Sequence, residues 1–368
     1  MGLISTAGPI LHRRQFLETA GWACAAARRT FVGAAALSAQ DLRCEYAHDP
    51  LGVEALRPRL SWVPYSVRRG DAQSAYQILV ASSPARLAAD RGDLWDSGRM
   101  SGMESAHIAY AGRSLESRLA CYWKVRLWDR DGNASQWSAP ARWEMGLLHP
   151  SDWSAQWLCA ARFAESRSTR MDPAPYFRRE FSIDGAVRWA RAYISGLGYY
   201  ELYLNGAKVG DHVLSPNQTD YDRRSLKMLA YPFDDRTSKR VLYVTYDVTA
   251  HLQSGRNAVG VILGNGWYNM RDRVAEGWMW YGAPRFILQI EIQCADGSSR
   301  RICSDTTWKV TTAGPLLYNG IFAGERYDAR LELGDWAAPG YDDAAWEGAV
   351  LAGFRPVPCM RNARRRTR

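Results

Sequence analysis

The sequence predicts an all-β protein made of two β-sandwiches in tandem, a fibronectin III- or immunoglobulin-like unit followed by a larger, jelly-roll-like one. Three observations carry this. Many short runs alternate apolar and polar residues with a period of two. Turn pairs such as Asn205-Gly206 and Asp296-Gly297 separate those runs. No long stretch repeats apolar residues at helical spacing, and 16 Trp, 19 Tyr and 9 Phe in 368 residues give bulk enough for two or three cores.

Taken in order, residues 1–39 read as a twin-arginine-like export signal. Arg13 and Arg14 precede Phe16 and Leu17, and an Ala-rich run follows, interrupted by Arg28 and Arg29. The expected location is therefore periplasmic or extracellular, with no membrane association once the signal is removed. Residues 40–150 form the first sandwich. AYQILVASS puts Tyr76, Ile78 and Val80 on one face, CYWKVRLW turns Trp123, Val125 and Leu127 inward, and a Gly132-Asn133 turn follows. One short helix is expected around PARLAADRGD.

Residues 151–350 form the second sandwich. YYELYLNGAKVG is a hairpin whose Asn205-Gly206 pair suits a type I′ turn, because both central residues there need positive φ. FILQIEIQC alternates Phe286, Leu288, Ile290 and Ile292 with Gln289, Glu291 and Gln293 before the Asp296-Gly297 turn. Cys294 and Cys303 flank this hairpin, as cross-strand neighbours or as buried free thiols. Residues 351–368 lack pattern and are rich in Arg, as a shifted reading frame would leave them.

The net charge of +9 is concentrated at the two ends. Four arginines against Glu18 within 1–39, and five arginines within 361–368, carry eight of those charges. The body between is almost neutral and offers no basic face to phosphates, so nucleic acid is excluded as a partner. The seven cysteines show no CxxC pair and no His-containing metal spacing, so neither a metal site nor a cofactor is expected. No GxSxG elbow, phosphate loop or HExxH helix is present; GLGYY at 196–200 is followed by no helix.

The wording of the two units resembles bacterial α-L-rhamnosidases of the glycoside hydrolase family 78 type. LWDSGRM, YWKVRLWDRDGNASQWSAPARWEMGLL and PSDWSAQWL resemble that family's leading fibronectin-like domain. NGAKVGDHVLSP, TDY, YVTYDVTAHLQSGRNAVGVILGNGWY, GERYDARLELGDW and GYDDAAW follow in the order of its N-terminal rhamnosidase domain. A longer segment than the resemblance implies, RRSLKMLAYPFDDRTSKRVL, lies between TDY and YVTYDV. The resemblance implies that hydrolysis belongs to an (α/α)6 barrel that follows these domains in the family and is absent from this sequence.

Glycoside hydrolysis needs one carboxylic acid and one carboxylate opposed across a cleft. Asp211, Asp220, Asp222, Asp272, Glu276, Glu325 and Asp328 are the acidic candidates, yet each sits beside a turn, where acids cap and pair. No catalytic residue is assigned. The expected function is the accessory, non-catalytic region of a rhamnosidase acting on rhamnose-containing glycans, with a barrel as intramolecular partner; the alternative is a stand-alone exported carbohydrate-binding protein. For sugar contact the candidates are Trp267, Tyr268, Trp278 and Trp280, with Glu325 and Asp328 of GERYDAR. Those aromatics equally suit a core or a docking face, and Glu325, Asp328 and Arg330 equally suit an ion cluster.

Overall fold

Strands supply almost all of the regular structure, as the period-two patterns require. The computed structural model describes residues 36–164, 172–219, 221, 240–270, 281–352 and 359–361. The segment expected to be an export signal lies outside them, apart from residues 36–39.

The first sandwich holds β1 (Leu37–Cys44), β2 (Arg59–Ser66), β3 (Ala75–Ala81), β4 (Trp95–Asp96), β5 (Met100–Ser101), β6 (Ile108–Ala109), β7 (Ala120–Trp128) and β8 (Ala141–Glu144). A three-stranded sheet, β1-β2-β6, faces a five-stranded one ordered β4-β3-β7-β8, with β5 also paired to β3. Tyr76, Ile78, Val80, Trp123, Val125 and Leu127 point into one core with Leu60, Trp62 and Trp143, as the alternation predicts. Helix α1 (Pro84–Ala88) falls in the expected stretch. The Ser83 hydroxyl accepts from the Arg86 N–H, Pro84 opens the first turn, and Leu87 packs on Leu79 and Ala81.

The second sandwich begins with β9 (Leu158–Cys159) and a single turn of helix, α2 (Ala161–Ala164). There follow β10 (Tyr176–Ile183), β11 (Val187–Leu197), β12 (Tyr199–Leu204), β13 (Ala207–Lys208), β14 (Val241–Asp247) and β15 (Gly255–Gly264). Then come β16 (Arg285–Cys294), β17 (Ser299–Cys303), β18 (Lys309–Thr311), β19 (Leu316–Gly320) and β20 (Gly324–Tyr327). The last are β21 (Glu347–Gly348), β22 (Val350–Leu351) and β23 (Cys359–Arg361). Six strands, β13-β12-β15-β10-β18-β21, make one sheet; β22-β9-β16-β11-β14-β23, with β17 on β16, make the other. The stretch from residue 351 onward, patternless as sequence, thus contributes to β22 and supplies β23, which pairs in parallel with β14.

Between the sheets Phe177, Val259, Val261, Leu202 and Leu204 meet Phe286, Leu288, Ile290, Ile292 and Ile194. Phe177 of one sheet meets Phe286 of the other with ring centroids 4.9 Å apart, and Trp308 packs on Phe286 at 5.2 Å. Each such aliphatic or aromatic side chain contributes about 1.5–3 kcal/mol when taken from water. Asn205 and Gly206 both have positive φ, 51° and 84°, as a type I′ turn requires.

The chain passes from one sheet to the other between β11 and β12 at Gly198, where φ is +103°. A Cβ there would lie 2.1 Å from the Gly264 carbonyl oxygen, so only glycine fits. Of the two readings left open for Cys294 and Cys303, the free-thiol one holds, with Cys294 buried and Cys303 half-buried. The β16–β17 register sets Cys303 opposite Gln289, with Ser299 opposite Gln293. Cys294 and Cys303 therefore sit at opposite ends of the ladder rather than as cross-strand neighbours, and both thiols are free.

The outer face of the seven-stranded sheet is covered by the first sandwich, and the contact is polar. Arg118, ahead of β7, donates from Nε and Nη2 to the Glu291 carboxylate at 2.6 and 2.8 Å, and from Nη1 to Asp152 at 2.8 Å. Arg191 of β11 grips Glu144 of β8 at 2.8–3.0 Å and reaches Asp247 at 3.1 Å. The Leu147 N–H donates to the Tyr243 phenol at 2.9 Å. Gln289, fully buried, accepts from the Ser154 N–H and donates to the Asp152 carbonyl. Paired charges of this kind are stable in low dielectric only because every partner is present.

Candidate functional site

The loop after β15 carries the sequence-nominated aromatics. Gly198 and Gly266, both bare of side chains, let it pass tightly against the start of β12, and three asparagines pin it. The Asn265 N–H donates to Asn319 Oδ1 at 2.6 Å, Asn265 Nδ2 to the Asn319 carbonyl at 2.7 Å, and Asn269 Nδ2 to Asn265 Oδ1 at 2.7 Å. Since Asn319 belongs to β19 and stands opposite Glu325 of β20, the loop and the β19–β20 ribbon form one assembly.

Within it Tyr268 turns inward. Its ring lies 5.9 Å from Tyr281 at 25° and edge-on to Tyr221, in a buried cluster with Leu197 and Val241. Burial raises its phenol pKa, with the Arg285 guanidinium acting the other way. Trp267 is half-buried and meets Phe322, at the tip of the ribbon, edge-to-face at 5.4 Å. Glu325 is exposed on β20. Asp328 accepts from the Arg330 N–H and side chain, at 2.6 Å for the closest contact, and this bond holds its carboxyl below the ordinary range. The structure thus joins Trp267 to the ribbon that bears Glu325 and Asp328, and directs Tyr268 elsewhere. Trp278, Trp280, Asp220, Asp222, Asp272 and Glu276 lie outside the described residues, as does most of the longer segment before β14. A small cleft beside the loop is lined by Phe163, Asp172, Pro173, Asn265, Asn269 and Pro284.

The described carboxyls share one tendency: every one whose proton affinity is displaced is displaced downward. Burial pushes Asp152 up, but hydrogen bonds from Ser117, the His149 N–H and Arg118 outweigh it. Glu180 falls to about 2, because Arg178, Arg256 and the Gly340 N–H outweigh its desolvation. Asp247 and Asp305 follow the same pattern, each bound by a nearby threonine and an arginine. These are structural carboxylates. No group of three or more His, Cys, Asp or Glu fit to hold a metal occurs among the described residues. No described helix is long and apolar enough to cross a membrane.

Sequence reasoning missed the residues that join the sandwiches: Arg118, Glu144, Arg191, Gln289 and Glu291. It also missed Arg178, fully buried, which donates to the Trp336 carbonyl at 2.9 Å and pairs with Glu180 and Asp343. The one available signal was a polar side chain recurring on the second face of a strand otherwise made of core residues.

Fold and site together define a modular all-β protein in which an immunoglobulin-type sandwich is fused through a polar seam to a larger two-sheet sandwich. Residues 39–149 match the Rha78A-like N-terminal immunoglobulin domain and residues 185–359 the alpha-L-rhamnosidase N-terminal domain. By these two domains the chain belongs with the α-L-rhamnosidases. Of the two sandwich types that the sequence leaves open for the first unit, the matching family is described as immunoglobulin.

An alpha-L-rhamnosidase of Formosa agariphila is 38% identical over 320 residues, covering 81% of this chain and 32% of that protein. One from Alteromonas sp. strain LOR is 35% identical over 322 residues, 86% of this chain and 33% of that one. Among solved structures, the alpha-L-rhamnosidase from Dictyoglumus thermophilum superposes with a TM-score of 0.75 at 37% identity, over 88% of this chain and 35% of that chain. The Aspergillus terreus enzyme gives 0.74 at 30%, over 89% and 35%. The chain spans about a third of the length of the first curated relatives it matches.

Proposed function

We propose that the two sandwiches are the accessory, non-hydrolytic region of an α-L-rhamnosidase-type glycoside hydrolase acting on rhamnose-containing glycans or glycosides. The observation that carries the reading is the state of the carboxyls. A glycosidase acid must keep its proton at working pH, which takes a raised pKa and a second carboxylate opposite. The displaced carboxyls described here move the other way and are tied to arginines, threonines or backbone N–H groups. Sugar stacking on Tyr268 is disfavoured because that ring is already stacked on Tyr281. Export ahead of residue 40 belongs to the same proposal, and a reporter fused to residues 1–39 tests it separately.

The test is incubation of the purified chain with an aryl α-L-rhamnoside. Release of the aryl group at the buffer rate is the expected result. Turnover above it, abolished by a single Asp or Glu substitution in this chain, overturns the proposal.

A further inference from the structure

On the outer face of the first sandwich three cations and two indoles alternate. Lys124, Arg126 and Trp128 leave β7 on the side opposite Trp123, Val125 and Leu127, which fill the core. Trp137 reaches the same face from the segment after β7, where the Ser135 and Ser138 hydroxyls accept from the Leu127 and Val125 N–H groups and tie that segment to the strand. Arg99 arrives from the turn between β4 and β5. Its guanidinium lies 5.0 Å from the Trp128 ring centroid, and that of Arg126 lies 5.1 Å from the same ring. Arg126 is also 4.7 Å from Trp137, whose ring takes the Lys124 ammonium at 5.0 Å. The order along the ladder is therefore Arg99, Trp128, Arg126, Trp137, Lys124.

The positive charges of this ladder are unevenly answered. Lys124 pairs with Asp90. Arg126 donates from Nε and Nη2 to Gln77 Oε1 at 3.0 and 2.7 Å, and Gln77 in turn donates to Asp96 at 2.7 Å. Among the described residues neither Arg126 nor the exposed Arg99 forms an ion pair with a carboxylate. Stacked against indoles, these two planar groups have little freedom left to lose on binding.

We propose that the ladder is a binding face for an anionic glycan, whose uronate carboxylates or sulfate esters accept hydrogen bonds from Arg99 and Arg126. Trp128 is buried and offers no open face to a sugar ring, so recognition runs through charge-assisted hydrogen bonds rather than stacking. Two guanidiniums without a paired carboxylate, with Asp96 close by, suit a chain that carries about one charge per sugar unit. Duplex nucleic acid, with roughly one charge per 1.7 Å, calls for a denser array of cations. That the anion belongs to a glycan rests on the reading of this chain as part of a glycan-acting protein.

Surface plasmon resonance tests the site, with the full chain passed over immobilised polygalacturonate, dextran sulfate and neutral dextran at about 50 mM salt, where screening is modest. Binding to one or both charged polymers and none to dextran is expected, and the two charged surfaces separate carboxylate from sulfate recognition. Arg99→Glu should weaken that binding about tenfold or more and Arg99→Gln about threefold, with the thermal midpoint almost unchanged because Arg99 is exposed. Arg300→Glu, at an exposed position of β17 in the second sandwich, makes the same change of charge and should weaken it less than about twofold. The control is needed because both terminal segments are rich in arginine. Equal losses in Arg99→Glu and Arg300→Glu, or no binding to either charged polymer, overturn the proposal. So does equally tight binding of a DNA duplex that Arg99→Glu also abolishes. Turnover in the aryl rhamnoside assay defeats the accessory reading and leaves this binding intact, whereas loss of binding alone defeats only the ladder site.

Discussion

Replacing Arg118 by alanine tests whether the seam makes one folding unit of two sandwiches. Its guanidinium makes three side-chain bonds, two to Glu291 and one to Asp152, and a fourth from Nη2 to the Asp152 carbonyl at 3.1 Å. The Glu291 side chain is only 9% exposed, so it cannot recover its solvation in place. Stranding a buried charge in this way costs about 3–5 kcal/mol. Two facts reduce that here: Arg301 remains 3.2 Å from Glu291, and Gln289 Nε2 still donates to it at 2.8 Å. Arg118 is itself partly solvated, which leaves an expected loss of about 2–3 kcal/mol. Urea unfolding at neutral pH, followed by tryptophan fluorescence, measures it. Pairing the change with Glu291→Gln should recover about 1 kcal/mol relative to the sum of the singles, since the stranded charge is gone. A loss below about 0.5 kcal/mol for Arg118→Ala, in the range of an ordinary surface pair, refutes the reasoning.

Other expectations concern acid, thiol chemistry and the hairpin. The Glu180 pKa falls from an ordinary 4.5 to about 2 on folding, so its contribution is complete above 4.5 and drains away as pH drops toward 2. Glu180→Gln should flatten the acid limb of a stability-versus-pH curve in that window, and an unchanged limb counts against the assignment. Burial pushes the Cys121 thiol up to about 12, so iodoacetamide at pH 8 should leave it unlabelled in the native chain and label it in urea, as read by peptide mapping. Native labelling at Cys121 contradicts its placement in the core. Asn205→Ala loses the bonds to the Ala258 N–H and the His251 carbonyl and strains φ, costing about 2 kcal/mol. Asn205→Gly should restore the backbone share of that loss alone, measured by the same denaturation.

The architecture was readable because period-two alternation encodes which face meets a core. Tyr76, Ile78 and Val80, or Phe286, Leu288 and Ile290, leave little choice once a strand is granted. The opposite face of β16 was not readable. Gln289 and Glu291 look like solvent-facing residues, and periodicity cannot tell water from a second domain presenting Arg118 and a connecting turn presenting Asp152. The aromatic loop failed for a related reason. Composition reveals that Trp267 and Tyr268 are adjacent, but only tertiary packing decides that Tyr268 stacks inside on Tyr281 while Trp267 meets Phe322 near the surface. Arg178 was invisible because, Glu180 apart, its acceptors such as the Trp336 carbonyl and Asp343 lie more than 150 residues away along the chain.

The seam also constrains how such proteins can be recombined. An immunoglobulin module joined by a bare linker can be exchanged for another with little consequence. Here an exchanged module arrives without an Arg118 for Glu291 or a Glu144 for Arg191, and each mismatch strands an ionised group on the host. Chimaeras that carry over only the first 150 residues should therefore express poorly unless those complementary positions are transplanted with them, which makes the pair of sandwiches, rather than either one, the heritable building block.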